Sequence, residues 1–254
     1  MGYPSDLTDA EWAVIQPHFQ PKDRRGSACL HPRKRIVDAI LYVVKSGCPW
    51  RMLPNDFPKW KTVYDHFSRW NKRGVWESAL DRLNVLHRQK NGRSALPSYG
   101  IIDSQSVKTQ YASEERGIDG GKKVKGCKRH IVVDILGNLL HISVHAANQH
   151  DTVAGGPILA RTAEKHPTIS AFSADAGYRG TAVKFVDEKL NLTLHISMKI
   201  KDQWAVLPKR WVVERTFAWL GQYRRLSKDF EILTGTAENV IRIAMLKKTL
   251  AKCV

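Results

Sequence analysis

The sequence predicts an α/β fold, a mixed sheet flanked by helices, preceded by an all-α, helix-turn-helix-like N-terminal region. Three observations carry this. Apolar residues up to about Leu86 recur at spacings of three and four, the helical period. Beyond Pro97 they gather instead into short runs compatible with buried strands. The pair His130 to Ile135 and Leu139 to Val144, joined by Gly137-Asn138, reads as a hairpin, and alternating helices and strands follow it. The 254 residues suffice for one large domain or two smaller ones. The composition change divides them into residues 1–96, helical, and residues 97–254, α/β.

In the N-terminal part, Thr8 and Glu11 form a capping box. Trp12, Ile15 and Phe19 then share one face, and Pro21 ends the helix. A basic loop runs from Lys22 to Arg35. From Arg33 to Ser46, Ile36, Ile40, Leu41, Val43 and Val44 predict a second helix, stopped by Gly47 and Pro49. Trp50 to Pro54 reads as a packed connection. A third helix starts near Lys59, with Trp60, Val63, Tyr64, Phe67 and Trp70 on one face and Lys61, His66, Arg69 and Lys72 on the other. After Gly74, Trp76, Leu80, Leu83 and Leu86 mark a fourth. Short helices with a basic outer face suit a DNA reader, although a plain bundle with a solvated charged face obeys the same packing rules. Asn91 to Ser94 is the linker.

In the second part, the run Tyr99 to Ile102 ends on Asp103, read as a strand-end carboxylate. A charge in a buried run is costly unless paired or bound to metal, and an Asp-Ser pair equally suits a turn cap. Ala171 to Ala174 ends in the same way on Asp175, before the turn Gly177 to Gly180. Trp211 to Leu220 has helical period, with Glu214 beside the stripe Val213, Phe217 and Leu220. If the fold gathers Asp103, Asp175 and Glu214, their mutual repulsion asks for a cation, and oxygen-only ligands suit Mg²⁺ or Mn²⁺. Two rival acids have plainer readings. Asp151 precedes an apolar helix running to about Glu164 and suits an N-cap; Asp134 suits an exposed face of the hairpin. Ala112 to Gly126, polar and glycine-rich, reads as a mobile loop whose Lys122, Lys123 and Lys125 touch phosphates or merely face solvent. A helix from Thr181 to Leu190 and a strand from Thr193 to Ser197 complete the pattern.

Several stretches together resemble the DDE transposases of bacterial insertion sequences, in the insertion-sequence-five group. They are Ile102 to Thr109, Gly121 to Gly126, Lys128-Arg129-His130, Asp175 to Gly180, and above all Trp211 to Leu220 with Tyr223 to Lys228 after it. The resemblance covers nearly the whole chain. It implies a ribonuclease H-like fold for the α/β part. Asp103, Asp175 and Glu214 would be catalytic and would hold two Mg²⁺ ions, replaceable by Mn²⁺, with Asp103 bridging them. A water would free a 3′ hydroxyl at the element's end, and that hydroxyl would attack target DNA. Arg210 matches the arginine of a Tyr-x-x-Arg-x-x-x-Glu-x-x-x-x-x-x-Lys signature, but Leu207 stands at its tyrosine and Gly221 at its lysine. Tyr223, Arg224, Arg225 and Lys228 are candidates for the missing phosphate contacts. With Lys61, Arg69, Lys122, Lys123, Lys125, Lys128, Arg129 and Arg179, the basic residues make up the expected DNA surface.

The net charge of +17 and pI near 9.9 favour an anionic partner, and basic residues interleaved with Trp and Tyr favour nucleic acid over mere solubility. The expected partner is double-stranded DNA, both terminal inverted repeats and target, met as a homodimer when two ends are paired. Cys29, Cys48, Cys127 and Cys253 form no Cys-x-x-Cys pattern, so neither a zinc site nor a disulfide framework is expected. No signal peptide or apolar run of membrane length stands out, and a bacterial, nucleoid-associated cytoplasmic chain is the expectation. Two other readings stay open: a DNA-binding derivative that marks its own ends without cutting, and a ribonuclease H-like nuclease. The latter would not need the helical N-terminal region.

Overall fold

The computed structural model describes residues 2–21, 30–197 and 208–254. Leu207, Cys29 and most of the basic loop after Pro21 lie outside them.

Helix α1 (Asp9–Ile15) starts on the expected capping box. Thr8 Oγ1 accepts from the Glu11 N–H, and Glu11 Oε2 accepts from the Thr8 N–H. Helix α2 (Arg33–Ser46) keeps the expected bounds. Gly47 ends it at φ +74°, a left-handed cap, and a Cβ there would come within 3.0 Å of Arg224. Helices α3 (Trp60–Lys72) and α4 (Val75–Lys90) follow, joined through Gly74.

The sheet begins with β1 (Tyr99–Lys108), which continues past Asp103 through polar residues. Asp103 is therefore mid-strand, not strand-end. Inside the expected loop lies a short strand, β2 (Gly117–Asp119), paired with the start of β3 (Val124–Val133). Then come β4 (Leu139–Ala146), α5 (Asp151–Lys165), β5 (Ala171–Ala174), α6 (Thr181–Leu190) and β6 (Thr193–Ile196). Two more helices close the chain, α7 (Pro208–Leu220) and α8 (Thr234–Cys253). The main strand order is β4-β3-β1-β5-β6. Within the first three, β3 runs antiparallel to both of its neighbours, β4 and β1, while β1, β5 and β6 are parallel and joined by helical crossovers. An antiparallel meander extended by two parallel strands on the far side of β1 is the ribonuclease H-like arrangement.

Alternation along the strands, interrupted where the β3–β4 register shifts between Val132 and Val133, sends side chains to two cores. Ile101, Ile131, Val133 and Ile142 pack with α7, α8 and the N-terminal helices. Ile102, Val132 and Leu140 pack under α5 and α6. The first core is continuous from Leu7 to Leu250, so the helical region and the sheet share it. Polar clamps reinforce that seam: Asn84 Nδ2 donates to Leu139 O, Lys165 Nζ bridges Glu77 and Asp81, and Lys247 Nζ pairs with Glu11.

The strongest clamp overturns the surface reading of Asp134. It is fully buried, 2.6 Å from Arg88 Nη1, and it accepts from the Leu136 and Asn138 N–H groups and from Asn138 Nδ2. A hairpin end packed under α4 can hold a charge only when it is answered this fully.

Candidate active site

In β1 and β5, Ile101 lies opposite Ser173 in parallel register. Two residues further along each chain stand Asp103 and Asp175, so the sheet itself brings these acids side by side. Asp103 shares the face of Ile101, the face that α7 covers. Its Oδ1 accepts from the Ser104 N–H at 2.7 Å. Asp175 ends β5 as expected and caps the following turn, its Oδ1 accepting from the Gly177 N–H at 2.9 Å. Burial, with the Asp175 charge added, pushes the Asp103 carboxyl up to about 6, against the Ser104 N–H and the charges of Arg210 and Lys122.

Glu214 lies on α7, exposed, with Oε1 2.8 Å from Arg210 Nε one turn earlier. Arg210 is thus paired with Glu214 while its charge also acts on Asp103. Among the described residues no three His, Cys, Asp or Glu side chains gather as a metal-ligand group. The fold brings two of the three expected acids together and leaves the third on its arginine.

The opposite face of β1 carries a polar layer that sequence reasoning missed. Ser104 pairs in register with His130, and its Oγ donates to Asp151 Oδ1 at 2.9 Å. Buried Lys128 reaches the same Oδ1 at 3.0 Å and donates to Gln149 O. Asp151 is therefore not a helix cap; His150 occupies that position. Asp151 also lies near the paired acids, since a Cβ on Gly177 would sit 3.0 Å from Asp175 Oδ1 and 3.3 Å from Asp151 Oδ2. His130 Nε2 is 3.6 Å from Asp151, but burial first, then His145, pushes the imidazole down to about 3. It is neutral near pH 7, so that contact is no ion pair. His130 Nδ1 is 2.9 Å from the buried Tyr178 hydroxyl. The only local signal for this layer was the matching parity of Lys128 and His130, which means little until β1 supplies the register.

The expected DNA contacts divide by exposure. Lys61, Arg69, Lys122, Lys123, Lys125, Arg179, Arg224 and Lys228 are exposed. Three others are not placed to reach a phosphate. Arg129 is 1 % exposed and donates to Leu226 O and Lys228 O. Arg225 is buried against Glu231 at 2.8 Å, and Lys128 belongs to Asp151. In each case the charge is used inside the fold.

Two family models match the chain. Residues 7–80 match one described as "Putative transposase of IS4/5 family", and residues 94–246 match "Transposase DDE domain". The chain belongs to the DDE transposases of IS4/5 type. An uncharacterized protein of Sinorhizobium fredii, y4sN, is 30% identical over 118 residues, 46% of this chain and 87% of that protein. Among solved structures, the Mos1 strand transfer complex aligns at 11% identity and TM-score 0.27, over 91% of this chain and 80% of that one. The Mos1 mariner paired end complex with Mn aligns at 11% and 0.26, over 99% and 88%. Likeness this distant transfers no residue and no ligand. The ribonuclease H-like character of this DDE transposase stands on its strand order, and its acids on the register of β1 and β5. No helix among the described residues is long and apolar enough to cross a membrane.

Proposed function

We propose that this transposase binds the terminal inverted repeats of its own insertion sequence, as a dimer pairing two ends, and cuts and rejoins DNA through Asp103, Asp175 and Glu214. One observation carries the reading: Asp103 and Asp175 stand side by side on parallel strands, facing a helix that bears Glu214 and Arg210. Two acceptor-only carboxylates side by side, one of them lifted to about 6 by burial first and then by the other's charge, fit a hard divalent cation, Mg²⁺ or Mn²⁺. Glu214 fits as the third ligand once Arg210 turns to the DNA phosphate. Bound in a pair, such ions would activate the attacking water and stabilise the leaving oxygen.

The chain's own residues supply position and charge. Asp103 is held by the rigid centre of the sheet and Asp175 by its turn, so both present oxygens with little freedom. Arg210 and Lys122 place positive charge beside the acids, where a scissile phosphate would lie. In the first step a water oxygen bonds to phosphorus, its proton is lost to solvent, and the 3′ oxygen departs as a hydroxyl. In the second, that 3′ oxygen bonds to a target phosphorus and displaces the target's own 3′ oxygen. The exposed Lys61, Arg69, Lys122, Lys123, Lys125, Arg179, Arg224 and Lys228 would hold the duplex by its phosphates.

A non-cutting DNA binder is the second reading, favoured by the Arg210–Glu214 pair, which keeps the third carboxylate away from the other two. Incubating the full chain with DNA carrying the element's own ends, with and without Mg²⁺, separates the two. Metal-dependent nicking at the ends is expected, lost in Asp103→Asn, Asp175→Asn and Glu214→Gln while end binding persists. Nicking that survives in one of these variants removes that residue from the assignment. Binding without nicking in the wild type supports the second reading.

A further inference from the structure

At the junction of the helical region and the sheet region lies an open cavity of about 410 Å³. Its lining is unusual for a surface. Trp50, Trp60 and Tyr64 come from the helical side, Tyr111 and Phe230 from the other. Tyr64 is 42% exposed and Tyr111 58%. Trp50 meets Tyr64 edge-on at 5.4 Å between ring centres, so the rings are held by one another rather than collapsed together. Two arginines complete the lining. Arg225 is answered by Glu231, but Arg51 has no carboxylate partner among the described residues, and its guanidinium lies over the Trp60 ring at 5.0 Å.

We propose that this cavity is a binding site for a single unpaired nucleobase of DNA, stacked on Tyr111 and Trp60, with its phosphate on Arg51. The proposal rests on the DNA reading above. An open box of aromatic faces matches a flat ring system, since every base has a π face whatever its sequence. The unanswered Arg51 and the chain's charge of +17 select an anionic ligand over a neutral apolar one. The volume lies in the range of about 300–1,000 Å³ usual for small-molecule pockets. Position fits as well. Tyr111 lies just beyond the end of β1, and the strand from Asp103 to Lys108 spans only about 17 Å at its usual rise. One DNA end could reach both the paired acids and the cavity.

The test uses the full chain and two duplexes of one sequence, one fully paired and one carrying a single unpaired 2-aminopurine. Wild type is expected to bind the second about tenfold more tightly, the scale of one stacked base, and to quench its fluorescence. Tyr111→Ala and Trp60→Ala should erase both the preference and the quench, yet bind the paired duplex as wild type does. Tyr111→Phe should retain both. A third duplex, with an abasic residue at the unpaired position, should show no preference. Equal preference for the abasic duplex, or a preference that survives both alanine variants, overturns the proposal while leaving the DNA reading intact. Failure to bind any duplex overturns the DNA reading and the proposal with it.

Discussion

Asp103 and Asp134 sit on the same sheet and meet opposite fates. At the hairpin end, Asp134 is fully buried, and Arg88, two backbone N–H groups and an amide answer its charge. In mid-sheet, Asp103 receives one backbone hydrogen bond and faces another acid. A carboxylate whose charge is satisfied by the fold holds the fold. One left partly unanswered beside a like charge is available to something that arrives from outside. Burial alone does not separate the two roles, because both residues lose much of their water; the partners do.

The largest test of that contrast removes the satisfied charge. Asp134→Ala leaves Arg88 buried and unpaired, which costs about 3–5 kcal/mol. Urea unfolding should show it, and a loss below about 1 kcal/mol would remove Asp134 from the structural side of the comparison, on the scale of typical surface changes.

Arg129 extends the comparison to a cation. Arg129→Met keeps much of the volume but withdraws donors from Leu226 O and Lys228 O, a loss of about 1.5–3 kcal/mol by the worth of charged hydrogen bonds. Binding to DNA per folded molecule should not change. A variant that melts like wild type but binds DNA weakly would reverse the assignment.

Asp103 should respond with the opposite sign. Its carboxyl titrates near 6 when folded and near 3.8 when unfolded, so between those values the folded state holds more protons. The contribution of Asp103 to stability should therefore fall as pH rises from about 4 to 6 and stay lowered above that window. The difference between wild type and an Asp103 variant isolates it from the buried histidines, whose contributions run the other way. Asp103→Asn removes the penalty. At pH 7.5 without divalent metal it should be the more stable protein by about 1–3 kcal/mol, with the gap closing near pH 4. Thermal melts across that range decide it; an asparagine variant less stable at pH 7.5 would place Asp103 with Asp134.

The smallest effect on stability belongs to the exposed cations. Lys122→Ala and Lys125→Ala should alter unfolding free energy by less than about 0.5 kcal/mol. Each should flatten the log–log salt dependence of duplex binding by about 0.9 for every phosphate left without its lysine. An unchanged slope would make them solvated side chains only.

Local chemistry was enough for much of this chain. Helix α2 kept the bounds set by its period and by Gly47, α1 kept its capping box, and β5 ended on Asp175, because each of those signals acts within a few residues. The order of strands and helices was legible for the same reason. The sequence reading did not extend to α8, a 20-residue helix that packs against the helical region and the sheet, nor to the polar second half of β1. The charges were decided only by the tertiary structure. Nothing near Asp134 points to Arg88, nothing near Asp151 points to Ser104 or Lys128, and nothing near Arg129 points to the carbonyls after α7. A buried charge is tolerable only when partners arrive from distant segments, and strand register, which no single segment carries, determines which partners arrive.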